Sequence, residues 1–311
     1  MLKKFLVPLL IFCTILTAKV EAAEFEMVSY SALVKLQWLA DTGHPDAKNI
    51  LKALKQGSIY DNKNLKDFDR LNKLNGVYQE LSYAATVEYV RKHGYQNILD
   101  IGGGYSPRAV VFARDGRKYF GAELAAVAMS ADDVMSKILT KEQFQNVTYD
   151  EVLIENRDEM LGAAEEFNGK ICIIENGLMI FLNGERTAEM FKLVKEILQK
   201  YGGCFITTDF ATKEYFNEIA TALYGEDQAD WLYDETKAMY EELFDNPIFD
   251  NTFETQDKAL EFLYEQGFKV KQVPLLTDTS KLYCLKNLNP QQVENIQKVV
   301  EGTYLWVITA D

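Results

Sequence analysis

The sequence predicts an α/β fold whose mostly parallel sheet is covered by helices on both faces. Short apolar runs alternate with amphipathic helical stretches over most of the chain, which is the pattern of crossover connections between parallel strands. A glycine-rich turn joins the first of these runs to the helix that follows it. The composition is that of a globular protein, with 48% hydrophobic and 26% charged residues in 311. This length suits one large domain or two small ones.

Five apolar runs in the middle of the chain are predicted to be strands, because they are short and are bounded by glycine or polar residues. They are residues 97–101, 118–122, 146–153, 170–175 and 204–208. Each of the first four is followed by a stretch whose apolar residues recur at threes and fours, which predicts a helix. These helices are residues 107–115, 131–139, 158–167 and 185–201.

Helical patterns also precede this alternating part. Residues 31–55 are predicted to be two short helices, broken at residues 42–45. Residues 62–75 are polar and are predicted to be a connecting segment. Residues 77–93 are predicted to be a helix that Gly94 ends.

The alternation is interrupted after the fifth predicted strand. Residues 213–249 are acidic, aromatic and helical in character, which indicates an inserted cap over the carboxyl edge of the sheet. The chain then ends with a helix, a strand, a helix and a strand, at residues 257–266, 269–276, 290–301 and 303–309.

Residues 1–23 have the three-part layout of a secretory signal peptide. Lys3 and Lys4 are basic, Phe5 to Leu16 is an almost wholly apolar run, and Val20-Glu21-Ala22 offers small residues for cleavage. The apolar run is short for a membrane-spanning helix. We therefore expect export, with an uncleaved anchor or a translation start at Met27 as the alternatives.

Charge and residue usage exclude several classes of protein. Lys and Arg number 33 against 47 Asp and Glu, giving a net charge of −14, which argues against a nucleic-acid partner and against a surface drawn to anionic lipid. Any membrane contact is expected only through the N-terminal segment. With only His44 and His93 present, no metal site is expected. Cys172 and Cys204 lie in apolar runs and are expected to be free and buried.

The glycine turn is the most informative motif. Gly102, Gly103 and Gly104 follow the first predicted strand, and glycine allows the backbone to turn sharply and to approach a ligand closely. Asp100 ends that strand, where its carboxylate would repel a pyrophosphate and suit a ligand with an ammonium group. Glu123 ends the next strand, at a spacing that suits hydrogen bonds to ribose hydroxyls. The alternative is a tight strand–helix turn with two solvated carboxylates.

Four segments resemble a known family: ILDIGGGYSPRA, KYFGAELAAV, IIENGLMIFLNGE and GGCFITTDF. Together they resemble class I S-adenosylmethionine-dependent methyltransferases, and more narrowly the leucine carboxyl methyltransferase-like branch, which includes polyketide O-methyltransferases. The resemblance runs from about Leu54 to the C-terminus. It implies a Rossmann-like class I methyltransferase sheet, mostly parallel, with the last strand inserted antiparallel beside the fifth.

The resemblance also implies a division of the chain. After a signal peptide or anchor at residues 1–23, residues 24–311 form a single methyltransferase domain. Its expected parts are a helical cap at 24–93, a cofactor-binding core at 94–210, a helical insertion at 211–256 and the C-terminal part of the core at 257–311.

The chain departs from the pattern of this branch at three positions. Glu123 stands where an Asp is usual, and both are hydrogen-bond acceptors. Asn176 takes the position of a usual glycine and Ile180 that of a usual tyrosine. The last two departures fall on the acceptor side of the site.

The cofactor expected from the resemblance is S-adenosylmethionine. Arg108 is expected either to hold its methionine carboxylate or to form an ordinary surface salt bridge, and Glu155 or Asn156 to meet the adenine amino group. Glu175 is expected at the cofactor or as a cap of the next segment. The predicted cofactor-binding residues are therefore Asp100, Gly102, Gly103, Gly104, Arg108, Glu123, Glu155, Asn156 and Glu175.

The expected activity is O-methylation of a carboxylate or hydroxyl on a small molecule or peptide, with no catalytic residue assigned. The alternative is an exported or membrane-anchored binding protein with a degenerate, non-catalytic methyltransferase fold. The leader favours export, whereas the cofactor is made in the cytoplasm. An NAD-dependent oxidoreductase is disfavoured by Asp100 and by Pro107, which stands where the third glycine of the dinucleotide fingerprint belongs.

Overall fold

The computed structural model describes residues 30–55, 68–210, 212–244, 251, 253 and 255–310. The expected signal peptide at residues 1–23 and the alternative start at Met27 lie outside these residues. Within the described ranges, no helix is long and apolar enough to cross a membrane.

One seven-stranded sheet forms the centre of the molecule, in the order β3-β2-β1-β4-β5-β7-β6. The strands β1 to β5 are parallel, and β7 runs antiparallel to both of its neighbours, β5 and β6. The strands are β1 Asn97–Ile101, β2 Lys118–Glu123, β3 Val147–Glu151, β4 Ile171–Glu175, β5 Gly203–Thr207, β6 Phe268–Pro274 and β7 Tyr304–Ala310. This confirms the predicted Rossmann-like class I methyltransferase sheet with its antiparallel last strand.

The burial of each strand follows its place in the sheet. All five residues of β1 and of β4 are buried, because these strands lie in the middle and carry helices on both faces. The edge strands β3 and β6 have several exposed residues, among buried ones in β3 and mostly partly buried ones in β6. A central strand therefore appears in the sequence as a continuous apolar run.

Twelve helices surround the sheet in the described part of the chain. The first, α1, covers residues 30–41. The others are α2 Pro45–Leu54, α3 Phe68–His93, α4 Arg108–Arg114, α5 Ala125–Ile138, α6 Lys141–Phe144, α7 Arg157–Glu165, α8 Gly184–Tyr201, α9 Thr212–Tyr224, α10 Glu226–Phe244, α11 Gln256–Glu265 and α12 Pro290–Gly302.

The start of α3 corrects one prediction. Residues 68–75 are helical and do not belong to a polar connection as predicted, and residues 62–67 lie outside the described residues. Leu71, Leu74 and Val77 recur every three residues and are all buried. Three apolar residues at helical spacing thus outweigh the polar composition of the segment. The helix predicted at residues 131–139 likewise begins earlier, at Ala125.

The core has one part on each face of the sheet. Ile98 of β1 belongs to the cluster that packs against α1–α5, α9, α10 and α12. Leu99 belongs to the cluster against α7, α8 and α11. Cys172 and Cys204, on neighbouring strands, are free and buried, as predicted. The segment predicted as a helical insertion contains α9 and α10, and its residues 211, 245–250, 252 and 254 lie outside the described residues.

Candidate functional site

The candidate site lies where β1 stands between β2 and β4. The chain leaves β1 towards β2 on one side and later crosses from β3 to β4 on the other side, so the strand order reverses here. Ligands of open α/β sheets bind in the crevice at this point, beyond the carboxyl ends of the strands. The glycine turn follows β1 here and leads into α4. Gly102 and Gly104 both have φ of +61°, a conformation that side chains disfavour, and the Gly102 N–H donates to the carbonyl of Ala122 at 3.0 Å.

Asp100 and Arg108 bind each other at this turn. The Arg108 Nε donates to Asp100 Oδ2 at 2.7 Å, and Nη2 donates to Oδ1 at 2.9 Å. The Tyr119 hydroxyl donates to the same carboxylate at 2.8 Å. Arg108 is 3% exposed and Asp100 is fully buried. The alternatives of a surface salt bridge for Arg108 and of a solvated carboxylate for Asp100 are therefore both wrong.

Arg108 also reaches the residues that follow β4. Its Nη1 donates to Asn176 Oδ1 at 2.9 Å, and Asn176 Nδ2 donates to Thr208 Oγ1 at 2.8 Å. The Thr208 hydroxyl donates to Ser82 Oγ of α3 at 2.9 Å. A continuous polar network thus joins the carboxyl ends of β1, β4 and β5 to α3.

Glu123 ends β2 and lies against the glycine turn. Its carboxyl group accepts a hydrogen bond from the backbone N–H of Gly104. Burial is the main cause that raises the pKa of Glu123 from 4.5 to about 8, with a smaller contribution from the Asp100 carboxylate. The Gly104 hydrogen bond opposes this rise. The group therefore holds a proton over most of the neutral range.

Glu175 ends β4 and is fully buried. Its Oε1 accepts from the N–H groups of Leu178 at 2.7 Å and Met179 at 3.2 Å, so it caps the segment after the strand. Its Oε2 accepts from the Thr207 hydroxyl at 3.0 Å. Burial and the neighbouring Asp209 carboxyl, which follows β5, raise the pKa of Glu175 well above its ordinary value.

Lys35 of α1 reaches into the same region. Its Nζ donates to the carbonyl of Gly177 at 2.5 Å and lies 3.5 Å from the carbonyl of Asn176. Burial lowers the pKa of the Lys35 ammonium, while the nearby carboxyl groups of Asp209, Glu175 and Glu123 oppose this change. A lysine from a helix far away in sequence thus provides a positive charge at the strand ends.

Glu155 and Asn156 make their contacts elsewhere. Arg186 of α8 donates to the Glu155 carboxylate. Asn156 is exposed and caps α7, accepting from the N–H groups of Asp158 at 3.1 Å and Glu159 at 3.4 Å. Neither residue has a hydrogen bond to the glycine turn among the described contacts.

The sequence analysis did not identify two residues of this region. Asp209 lies two residues after β5, and an acidic residue at or near the end of an apolar strand is the signal that identified Asp100, Glu123 and Glu175. The same rule applied to the fifth strand finds it. Lys35 is the only charged residue between Ser31 and Ala40, but its position at the sheet depends on the packing of α1.

The residue types at this edge suit S-adenosylmethionine, but the space in this conformation does not. A Cβ on Gly104 would lie 2.7 Å from Ala32 Cβ of α1, and one on Gly102 would lie 3.0 Å from the Leu178 side chain. The cavity between α1 and the turn has a volume of about 40 Å³. Pockets for ligands of this size are roughly 300–1,000 Å³. The chain's own side chains therefore fill the ligand region.

No group of three or more His, Cys, Asp or Glu residues that could hold a metal ion occurs within the described ranges. His44 caps α2, and burial lowers its pKa to about 4. His93 lies in the last turn of α3, away from the strand ends that form the site. The chemistry of this site therefore involves carboxyl, amide, hydroxyl and ammonium groups.

No protein-family model and no curated protein sequence matches this chain. Among solved structures, it is similar to the methyltransferase domain of bacterial CtHen1, with 14% identity over 75% of this chain and 99% of that one, and a TM-score of 0.45. It is similar to the magnesium protoporphyrin IX methyltransferase of Synechocystis PCC 6803 with bound SAH, with 11% identity over 87% and 95%, and a TM-score of 0.45. It is also similar to the plantazolicin methyltransferase BpumL in complex with SAH, with 15% identity over 94% and 100%, and a TM-score of 0.42.

Proposed function

We propose that this chain is an S-adenosylmethionine-dependent O-methyltransferase acting on a carboxylate or hydroxyl of a small molecule or peptide. One observation carries the proposal: the glycine turn at the switch point of the sheet is bound through Gly104 N–H to the carboxyl group of Glu123. A backbone that a ligand can approach closely thus lies next to a carboxyl group that can accept hydrogen bonds from ribose hydroxyls, as a nucleoside ligand requires.

The proposed cofactor contacts are divided among the strand ends. Gly102, Gly103 and Gly104 supply the close backbone approach, and Glu123 accepts the ribose hydroxyls. Asp100 and Arg108 hold the turn through their ion pair. Of the two residues after β3, we favour Glu155 for the adenine amino group, because a carboxylate bound by Arg186 can accept a further hydrogen bond, whereas the side-chain oxygen of Asn156 already accepts two in capping α7.

The acceptor is proposed to bind beyond β4 and β5. A cavity of about 30 Å³ lies there, among Lys35, Tyr78, Asp209, Phe216 and Tyr240. The cofactor supplies the methyl group and its leaving group, so the protein has to align the acceptor and exclude water. We favour a carboxylate or an acidic hydroxyl, since such acceptors need little help in losing a proton.

Within the methyltransferases, we propose the leucine carboxyl methyltransferase-like branch. The support comes from the sequence: the four segments that carry the resemblance supply β1, β2, β4 and β5 with the turns after them. Asn176 and Ile180 depart from that branch. Because Asn176 connects Arg108 to Thr208, the acceptor side of this chain is built differently.

The test is calorimetric binding of S-adenosylmethionine to the full-length chain and to two variants. Binding is expected to be micromolar, about −8 kcal/mol, and to weaken at least about tenfold in Glu123→Ala. Glu151→Ala is the matched control, because Glu151 pairs with Glu123 on the neighbouring strand and is exposed. A folded protein that takes up no S-adenosylmethionine at millimolar concentration contradicts the proposal.

A second candidate function is an exported or membrane-anchored binding protein with a degenerate methyltransferase fold. The filling of the ligand region by Ala32 and Leu178 favours it, as does the signal-like pattern of residues 1–23. It predicts a folded chain without affinity for S-adenosylmethionine. In its exported form it also predicts that intact-mass analysis of the mature protein finds the N-terminal segment through Ala22 removed.

A further inference from the structure

Two side chains of α1 occupy the face of the glycine turn that a ligand would approach. Ala32 Cβ lies 2.7 Å from the position of a Cβ on Gly104, so it packs directly on the bare backbone of the turn. One helical turn later, the Lys35 ammonium donates to the carbonyl of Gly177 at 2.5 Å. The cavity of about 40 Å³ lies between these contacts.

Lys35 brings a positive charge to an edge of the sheet that is rich in carboxyl groups. Four of them lie at the strand ends, those of Asp100, Glu123, Glu175 and Asp209, and Asp100 is paired with Arg108. The remaining three interact electrostatically with the Lys35 ammonium. If Lys35 leaves, a cationic ligand restores that positive charge, whereas a neutral ligand leaves the three groups to hold protons. The site therefore favours a cation as the ligand that replaces Lys35.

We propose that α1 is an internal substitute for the cofactor, in which Ala32 fills the space over the glycine turn and the Lys35 ammonium supplies the positive charge that a sulfonium ligand supplies after α1 has moved. This inference rests on the proposed function. It explains why a turn with the features of a cofactor site has no room for one in this conformation. The closed form and the cofactor-bound form then differ by the exchange of one cation for another.

Only the first half of α1 has to move. Trp38 is fully buried, and its Nε1 donates to Asn72 Oδ1 of α3 at 3.0 Å. Leu39 and Ala40 are also buried, and because Val34 and Leu36 of the first half are buried as well, moving that half exposes two apolar side chains. Ala32 and Lys35 are only partly buried. We therefore expect displacement of residues 30–36 with residues 38–41 in place.

The first arm of the test is calorimetric binding of S-adenosylmethionine to the full-length chain and to Lys35→Ala and Lys35→Met. Both variants remove the internal cation, and Lys35→Met keeps the length of the side chain. A competing closed state weakens the apparent affinity by the fraction of open molecules, so both variants are expected to bind at least about tenfold more tightly. S-adenosylhomocysteine, which lacks the sulfonium charge, binds the same open state and is expected to gain affinity by the same factor.

Lys195→Ala is the matched control. Lys195 Nζ donates to the carbonyl of Gln266 at 2.7 Å and lies 5.9 Å from the Phe268 ring, which resembles the setting of Lys35 over Gly177 and the Phe181 ring. It belongs to α8, which packs in the cluster on the other face of the sheet. It is expected to leave the affinity for both ligands unchanged.

The second arm is amide hydrogen exchange of the full-length chain with and without S-adenosylmethionine. Exchange is expected to increase at residues 32–36 on binding and to stay slow at residues 38–41. Unchanged or weaker binding by the Lys35 variants, or α1 amides that become more protected with ligand, overturns the proposal. The proposed function itself fails if the folded wild type binds no S-adenosylmethionine at millimolar concentration, an outcome distinct from a wild type that binds as tightly as the Lys35 variants.

Discussion

Arg108 and Asp100 form a buried bidentate ion pair, with Nε–Oδ2 and Nη2–Oδ1 distances of 2.7 and 2.9 Å. The pair joins the end of β1 to the first turn of α4, across the glycine turn. The sequence analysis assigned each residue to a different charged group of a ligand. In the structure each side chain is the charged partner of the other, so their first role is to hold the shape of the turn.

Arg108→Met is expected to destabilise the protein by about 3–5 kcal/mol, because it leaves the Asp100 carboxylate buried without its partner. The free energy of unfolding from urea titrations measures this. The double variant Arg108→Met/Asp100→Asn removes both charges and is expected to recover a large part of the loss.

Arg91→Met is the control for that experiment. Arg91 also makes a bidentate contact with a carboxylate, that of Asp115, but its side chain is 50% exposed. Its loss is expected to be much smaller, since water screens an exposed pair. Equal losses for the two arginine variants would show that the burial of the Arg108 pair contributes nothing.

Glu123 is expected to make the stability of the protein fall as the pH rises. Its pKa is 4.5 in the unfolded chain and about 8 in the folded protein, so between these values the folded state binds more protons than the unfolded state. The stabilisation is complete below pH 4.5 and is lost by about pH 8. The fall is on the order of 5 kcal/mol for this group alone.

Urea titrations at several pH values between 5 and 8 measure this dependence. Burial also raises the pKa of Glu175 and of Asp209, so the wild-type slope includes contributions of the same sign from these groups. Glu123→Gln cannot ionise and is expected to have a shallower slope than wild type. An identical slope in the variant contradicts the buried, protonated Glu123 of this structure.

The strands could be predicted from sequence, because a central strand of a parallel sheet is buried on both faces and forms a continuous apolar run. All seven were predicted to within a few residues, and acidic residues directly after such runs marked Glu123 and Glu175 as residues of the sheet edge. The pairing of Arg108 with Asp100 could not be predicted, since it depends on the direction of two side chains around a turn. The position of α1 over the turn depends on packing between distant segments, for which neither Ala32 nor Lys35 carries a local signal.

Gly104→Ala tests that position of α1 directly. The substitution is expected to be costly for two reasons: a side chain at φ of +61°, and a Cβ only 2.7 Å from that of Ala32. The left-handed backbone conformation costs a side chain about 1–2 kcal/mol. The close contact of the new Cβ with Ala32 adds typically about 1–3 kcal/mol. Urea titrations give the total.

Gly116→Ala isolates the backbone part of that cost. Gly116 has φ of +70°, and a Cβ there would meet nothing within 4 Å. The excess loss in Gly104→Ala then measures the contact with α1. Combining Gly104→Ala with Ala32→Gly is expected to remove most of the excess, as a double-mutant cycle detects. Additive losses in the cycle contradict direct packing of α1 on the turn.

Asn156→Ala distinguishes two roles of the Asn156 side chain. The sequence predicted a contact with the adenine amino group, and the structure shows a cap of α7. The Asn156 side chain accepts from the N–H groups of Asp158 and Glu159 and so satisfies the start of α7. Its loss is expected to cost about 1 kcal/mol of stability.

Asn183→Ala is the matched control. It removes the equivalent cap of α8, where the side chain accepts from Arg186 N–H at 3.0 Å, and is expected to cost a similar amount of stability. Calorimetry with S-adenosylmethionine is expected to give the wild-type affinity for both variants. A loss of affinity in Asn156→Ala but not in Asn183→Ala would show that Asn156 contacts the adenine, because the loss of a helix cap alone would affect the two variants alike.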